Sequence, residues 1–405
     1  MISEISIKNF KSIEELTLPL GRVTVLIGEN GSGKSNMLEA LAMLGAATAE
    51  KLDQEFLVSR GVRNTPPRNC LALFEAAKPK DEEAWEHKLW AKLSDMWIGY
   101  RITLHEVVPD QIAWWARPLL PVSFYEELLR NGDPDAKDFD KVRADMSSKS
   151  EVRVEDKLRL FFPHAEKGAP TLFEWLLNLT PQSLPLRSFV IFSPEYAKLR
   201  RFEDEQQIHP LGVNGEGLFA LLQRKPRRGE STLLKRVAEC MCVLQWFDGL
   251  QIPDDLGAGE KRLQLRDRFV KQKQWLDQRS ANEGFLFLLF YFTLFLSKET
   301  PAFFAIDNID ASLNPRLSAE LMRQLVKLAK ENGKQVILTT HNPGLLDGLD
   351  LNDPEQKLYA VSRNETGRTV ARAVPAPVPL KKGDLPVKLS HAFLQGVLGG
   401  VPKNF

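Results

Sequence analysis

The chain has 405 residues, 43% of them hydrophobic and 26% charged, with a formal net charge of +1 at pH 7. That length buries a substantial core in two or three packed lobes. The near-neutral balance excludes a global electrostatic pull toward nucleic acid and leaves only local basic patches for such a role.

The first residues, "ISEISIKNF", alternate apolar and polar side chains as a half-buried strand does. "RVTVLIG" then enters a glycine-rich loop at Gly28, and a helix is expected from about Asn36 to Ala47. Between residues 53 and 188 the text is irregular. Strand-like pieces ("IGYRITLHEV", "QIAWWARPL") and helical pieces ("SFYEELLR", "TLFEWLLNL") surround a polar stretch at 131–150 that reads as a mobile loop. "SFVIFSPE" is strand-like, "GEGLFALLQ" and "STLLKRVAECMCVLQWF" are helical, and "KRLQLRD" alternates as a strand. From Ser280 the pattern is regular: an apolar helix, the strand "AFFAID", the amphipathic helix "PRLSAELMRQLVKLAKENG", the strand "QVILTT" and then "HNPGLLDGL". This alternation predicts an α/β protein with a parallel sheet and right-handed crossovers. The three cysteines, Cys70, Cys240 and Cys242, have no metal-ligand spacing and predict no disulfide framework. The apolar run 285–296 is too short for a bilayer and no secretory succession opens the chain, so a cytoplasmic protein without membrane contact is expected.

"GENGSGKS", residues 28–35, fills the P-loop pattern G-x-x-x-x-G-K-[ST], with a strand before it and a helix after it. Amides of Gly31, Ser32, Gly33 and Lys34 would wrap a β-phosphate at a helix N-terminus, flanked by Gly28, Asn30 and Asn36. Lys34 would reach the β- and γ-phosphates, and Ser35 would ligate Mg²⁺. Asp307, at the end of "AFFAID", is the expected second metal ligand, although a strand-end aspartate also serves as an ordinary turn cap. His341, directly after "QVILTT", falls where a neighbouring strand tip would bring it to the γ-phosphate; a capped loop histidine is the bland alternative.

"NFKSI", "GENGSGKSN", "SANEG", "AIDNIDASLNP" and "TTHNP", in this order, resemble the ABC-type ATPase heads of the SMC, RecF and OLD group, in the branch often classed as AAA-family ATPases. The resemblance covers about residues 1–50 and 275–350, with a weaker echo around Ser193–Glu195. It implies a P-loop NTPase whose head joins a mixed β lobe to a parallel sheet flanked by helices, with a helical insertion. The head would comprise residues 1–50 and 275–365, the remaining first-lobe strands and the insertion 51–274, and a packed tail 366–405. It also implies that "SANEG", with Ser280, Asn282 and Gly284, caps ATP bound to the P-loop of a second subunit in a homodimer or higher oligomer; a plain helix N-cap accounts for Ser280 equally well. "SLNP", Ser312–Pro315, would touch the partner head.

The family's usual pattern has Glu after the strand-terminal Asp, where this chain has Asn308. An amide orients water but takes no proton, and loss of a general base typically costs about 10²–10⁴ in rate. A slow, switch-like ATPase is expected, with Asp310, Glu283 of the second copy or His341 as substitutes. Basic stretches at 224–236, 261–273 and Lys381 fit DNA phosphate contacts as well as ordinary solvated surface. Trp85, Trp90, Trp97, Trp114 and Trp115 read as core or interface residues before base-stacking platforms. The last seventeen residues, with their glycine pair, suggest a folded contact. With no second catalytic centre legible, the leading expectation is an ATP-driven sensor or scaffold that controls a separate effector protein in bacterial anti-phage defence. The rivals are a RecF-like DNA-binding repair ATPase and a nucleotide-dependent scaffold without meaningful hydrolysis.

Overall fold

The structure, a computed structural model, describes residues 1–49, 51–65, 67–70, 72, 86–93, 96–108, 111–120, 152–153, 185–202, 210–224, 232–270, 274–310, 313–377 and 388–398. The polar stretch 131–150, the helical pieces at 123–130 and 171–179, Trp85, Ser312, Lys381 and the basic residues 225–230 lie outside the described residues, as do the side chains of Trp90, Trp97, Trp114 and Trp115.

Three sheets organise the described strands. The first is antiparallel, in the order β2 (Ile13–Pro19), β1 (Ile2–Phe10), β4 (Glu86–Leu93), β5 (Met96–Val108), β6 (Gln111–Leu120) and β7 (Val152–Arg153). The second runs β15 (Thr369–Ala373), β14 (Gln356–Arg363), β3 (Val23–Ile27), β13 (Gln335–Thr340), β12 (Phe303–Ile306) and β8 (Ile191–Phe192). It is parallel from β14 to β8, with β15 antiparallel at its edge. A small antiparallel sheet joins β11 (Trp275–Asp277), β10 (Gln264–Asp267) and β9 (Phe247–Gln251).

The second sheet is buried on both faces, and its period-2 alternation divides its side chains between two cores. Val23, Val25, Ile27, Phe304, Ile306, Val336 and Leu338 enter one core, whereas Leu26, Phe303, Ala305 and Ile337 enter the other. The second core also holds Ile5 and Ile7 of β1 and Leu38 and Leu41 of α1 (Lys34–Thr48), so α1 lies between the two large sheets. On the opposite face, α6 (Glu283–Leu296) is buried from Phe285 through Leu296. A helix apolar on every side has no stable place except a core. Tyr291 on α6 donates its hydroxyl to the Ile309 carbonyl at 3.1 Å, tying this helix to the loop after β12. The shorter helices are α2 (Gln54–Ser59), α3 (Tyr196–Arg201), α4 (Leu218–Gln223) and α5 (Leu233–Met241); α7 (Pro315–Glu331) and α8 (Pro343–Leu346) follow α6, and α9 (Leu389–Leu394) comes last.

Register sets up the site. Ile27 pairs with Thr340 and Ile306 with Leu338, so the P-loop, Asp307 and His341 leave adjacent parallel strands at one edge. Ligands of open α/β sheets bind at this carboxyl edge.

Two expectations change. The helical text at 231–247 stops at Met241, because residues 247–251 form β9. The stretch 366–405, expected as a tail, begins with a head strand: β15 pairs along β14, and α9 then docks by burying Leu389 and bonding Ser390 to the Asp347 carboxylate. No helix among the described residues is long and apolar enough to cross a membrane.

Candidate functional site: a P-loop at the carboxyl edge of the sheet

β3 delivers the chain to Gly28, where a Cβ would lie 2.1 Å from the Val361 carbonyl of β14, so only glycine permits that approach. Gly33 has φ 109° and a Cβ there would stand 2.2 Å from the Thr369 hydroxyl. It begins α1 without any side-chain cap, unlike α6 and α7, which are capped by Asn282 and Asn314. Among the described residues the amides of Gly31, Gly33, Lys34 and Ser35 have no hydrogen-bond partner, and the buried Ser32 hydroxyl has none. Lys34 is buried, and its ammonium donates to the carbonyls of Gly28 at 2.8 Å and Glu29 at 2.9 Å. Burial pushes its pKa down against the pull of Asp307, Asp310 and Glu29. Free amides, an open helix N-terminus and an incompletely neutralised lysine are the donor set a polyphosphate requires.

The metal end lies across from α1. Ser35 Oγ donates to Asp307 Oδ2 at 2.8 Å, and Thr339 Oγ1 donates to the other carboxylate oxygen. One hydroxyl and one carboxylate fit Mg²⁺, which takes few protein ligands and fills its octahedron with water and substrate oxygens. Beyond Asp307 the chain turns through Asn308 at φ 55°, with its main-chain N–H on Thr339 Oγ1 at 2.9 Å. The Asn308 side chain is exposed and has no hydrogen-bond partner among the described residues. Asp310 Oδ1 accepts from the His341 amide at 3.3 Å. The His341 imidazole is held below its ordinary pKa by desolvation and then by the Lys34 ammonium, against Asp310, Asp307 and the Gly28 main chain. Lys34, Ser35, Asp307, Asp310 and His341 are thus gathered as the sequence predicts, while exposed Asn30 and Gly31 form the rim.

The "SANEG" segment stands apart, with no hydrogen bond to residues 28–36. Asn282 Oδ1 accepts from Phe285 N at 2.8 Å, so Asn282 is the N-cap of α6 and Ser280 is not. This removes the plain-cap explanation for Ser280, whose exposed hydroxyl has no partner among the described residues, and it engages the Asn282 oxygen within the chain. Asn36, assigned to the nucleotide from sequence, donates to Ser12 Oγ at 2.7 Å and accepts from Arg63 at 3.0 Å, bracing the loop from behind.

Sequence reading missed the rest of that brace. Thr369 donates to the Ser32 carbonyl at 2.9 Å and lies 2.6 Å from Ser12 Oγ, while Arg363 Nε donates to the Gly31 carbonyl at 2.9 Å. On α1 itself, buried Glu39 accepts from Lys11 and from Arg63 Nε at 2.6 Å. Lys11 and Ser12 sit inside "NFKSI", a signal that sequence reading used only for the resemblance.

Over residues 23–347 the sequence matches the family described as "AAA domain, putative AbiEii toxin, Type IV TA system". The chain belongs to this AAA-domain family. Its fold and the order of its motifs are those of the ABC-type ATPase heads of the SMC, RecF and OLD group. An Smc head solved bound to the C-winged helix domain of ScpA superposes with a TM-score of 0.51 at 15% identity, covering 92% of this chain and 98% of that one, and shows the shared fold. The OLD nuclease of Thermus scotoductus is 39% identical over 44 residues, 11% of this chain and 8% of that protein. RecF of Bacillus cytotoxicus is 40% identical over 55 residues, 13% of this chain and 15% of that protein. The chain thus matches well under a fifth of the length of either relative.

Proposed function

We propose that this AAA-domain protein is an ATP-driven switch: it takes up MgATP at residues 28–35, closes on a second copy through the Ser280 segment, and hydrolyses slowly. The observation that carries the reading is the convergence of Lys34, Ser35, Asp307, Asp310 and His341 at one sheet edge, beside uncapped α1 with its free amides. When bound, MgATP supplies the transferable phosphoryl group and much of the charge neutralisation its transfer needs. The chain's own part is to hold phosphate oxygens with Lys34 and the loop amides, and the metal with Ser35 and Asp307. Asn308 orients water without accepting its proton, which accounts for slow turnover. Asp310 and His341, linked through the His341 amide, are the alternative acceptors of that proton.

The family description, with its toxin and type IV toxin–antitoxin system, supports a link to bacterial defence, and in this reading the switch controls a separate effector protein that acts against phage. The test is uptake of labelled ATP with and without Mg²⁺, read together with molecular mass by light scattering. The unsubstituted protein should bind with Mg²⁺ and shift from monomer toward dimer, and Lys34→Ala should do neither. Absence of ATP uptake by folded protein would end the proposal. Recovery of a neighbouring gene product on purification supports the effector role, whereas ATP-dependent, salt-sensitive binding to gapped duplex would favour a RecF-like role instead.

A further inference from the structure

We infer that Arg279 is a second ligand for the triphosphate held by the other copy of this chain, delivered in trans beside Ser280. The inference rests on the two-copy arrangement proposed above and adds a residue to it. Gln278 is fully buried: its amide donates to the Leu263 carbonyl at 2.9 Å and its side-chain oxygen accepts from Leu263 N at 2.8 Å. Ala281, also buried, closes the turn by donating to the Gln278 carbonyl at 3.0 Å. Between these anchors the Arg279 amide donates to Asp277 Oδ1 at 2.8 Å, and its carbonyl accepts from Arg200 Nε at 2.8 Å. Arg200 is itself laid over the Tyr196 ring, 5.7 Å from its centroid.

Residues 278–281 therefore form a turn fixed by five hydrogen bonds that presents only two side chains to solvent, Arg279 and Ser280. Neither side chain has a partner among the described residues. A backbone held this firmly loses little further entropy when its side chains bind, which is the condition for a preorganised contact. In a twofold pairing each composite site takes one surface from each copy. The surface that Ser280 would meet is the rim of the P-loop, where Asp307 and Asp310 and the triphosphate itself are anionic. A guanidinium matches phosphate oxygens in a bidentate fork. The free cation, its fixed place next to Ser280 and the charge of the opposing rim all point to phosphate recognition across the pair.

Full-length Arg279→Ala, Ser280→Ala and Lys34→Ala proteins are compared for labelled ATP retained with Mg²⁺ through gel filtration. Loss of a charge-assisted hydrogen bond predicts about tenfold to a hundredfold less nucleotide retained by Arg279→Ala alone, with partial recovery in Arg279→Lys. Mixed with an equal amount of Lys34→Ala, Arg279→Ala should regain one nucleotide per mixed dimer, because one composite site then holds both Lys34 and Arg279; that recovery also shows the variant to be folded. Unchanged retention by Arg279→Ala overturns the inference. So does failure of its mixture when Ser280→Ala mixed with Lys34→Ala recovers, which would leave the two-copy reading standing. Failure of both mixtures removes the two-copy reading and this inference together.

Discussion

The Asn308 main-chain N–H donates to the Thr339 hydroxyl over 2.9 Å, and that hydroxyl in turn donates to the Asp307 carboxylate. The residue that replaces the expected glutamate is therefore locked, through its backbone, to the residue that orients the metal ligand, and it is held at φ 55°. Asparagine tolerates this left-handed conformation better than most residues with a Cβ.

Asn308→Glu consequently has two opposed effects. Turnover should rise, by up to about 10² if the carboxylate reaches the attacking water. Stability should fall by about 1 kcal/mol from the strained backbone. Phosphate release at saturating ATP and a urea midpoint measure the two separately, and a slower variant would show that position 308 does not stand in for the water-orienting residue.

Thr339→Val removes an acceptor and a donor in one step. The part-buried Asn308 amide and an Asp307 oxygen both lose their partner, at about 1–3 kcal/mol. The Mg²⁺ concentration needed for half-maximal ATP uptake should rise because Asp307 is no longer aimed, whereas Thr339→Ser keeps the hydroxyl and should stay near the unsubstituted protein in both measurements.

Burial alone would raise the pKa of Glu39, but hydrogen bonds from Arg63 and Lys11, together with their charges, outweigh it and hold the carboxylate below its ordinary value of 4.5. A depressed carboxylate contributes stability that is present above its unfolded value and lost as pH falls through its folded one. Glu39→Gln should cost about 3 kcal/mol near pH 7 by leaving cations behind. Chemical denaturation should show the gap between the two proteins narrowing only below about pH 4.5; a gap independent of acid would mean the carboxylate charge plays no part.

Buried Lys334 follows the opposite logic. Its ammonium donates to the carbonyl of Thr300 at 2.8 Å, to its hydroxyl at 3.0 Å and to the Pro301 carbonyl at 3.2 Å, yet burial lowers its pKa from 10.5 to about 8. Between those values the unfolded chain binds the additional proton, so folding stability rises with pH across that window. The rise should vanish in Lys334→Met when the two proteins are compared by urea denaturation from pH 8 to 10. Parallel pH profiles for the two would refute it.

What could be read from the sequence is what short spacing encodes. "GENGSGKS" places Lys34 and Ser35 by adjacency to a strand and a helix, and Asp307 and His341 follow from two apolar strand ends. β14, "QKLYAVSR", is strand-like but lies beside no motif. Thr369 and Arg363 arrive through that hairpin, and their contacts with Ser32 and Gly31 span more than three hundred residues. Glu39 reads as a polar interruption in an apolar helix until the fold brings Lys11 and Arg63 to it. A capping asparagine and a ligand asparagine look alike in sequence at a helix start; the bond from Phe285 shows that the Asn282 oxygen caps α6.

The dependence of the P-loop on Thr369 and Arg363 also bears on how the protein is made. Gly31 and Ser32 leave the ribosome more than three hundred residues ahead of the hydroxyl and guanidinium that fix their carbonyls, which are translated roughly half a minute later at ordinary elongation rates. Until that hairpin emerges, the loop has Ser12, Asn36 and Arg63 behind it but lacks the two groups that hold its carbonyls. Ribosome-bound fragments ending before residue 363 should therefore be unable to capture nucleotide, so that the switch is armed only once the β14–β15 hairpin has emerged.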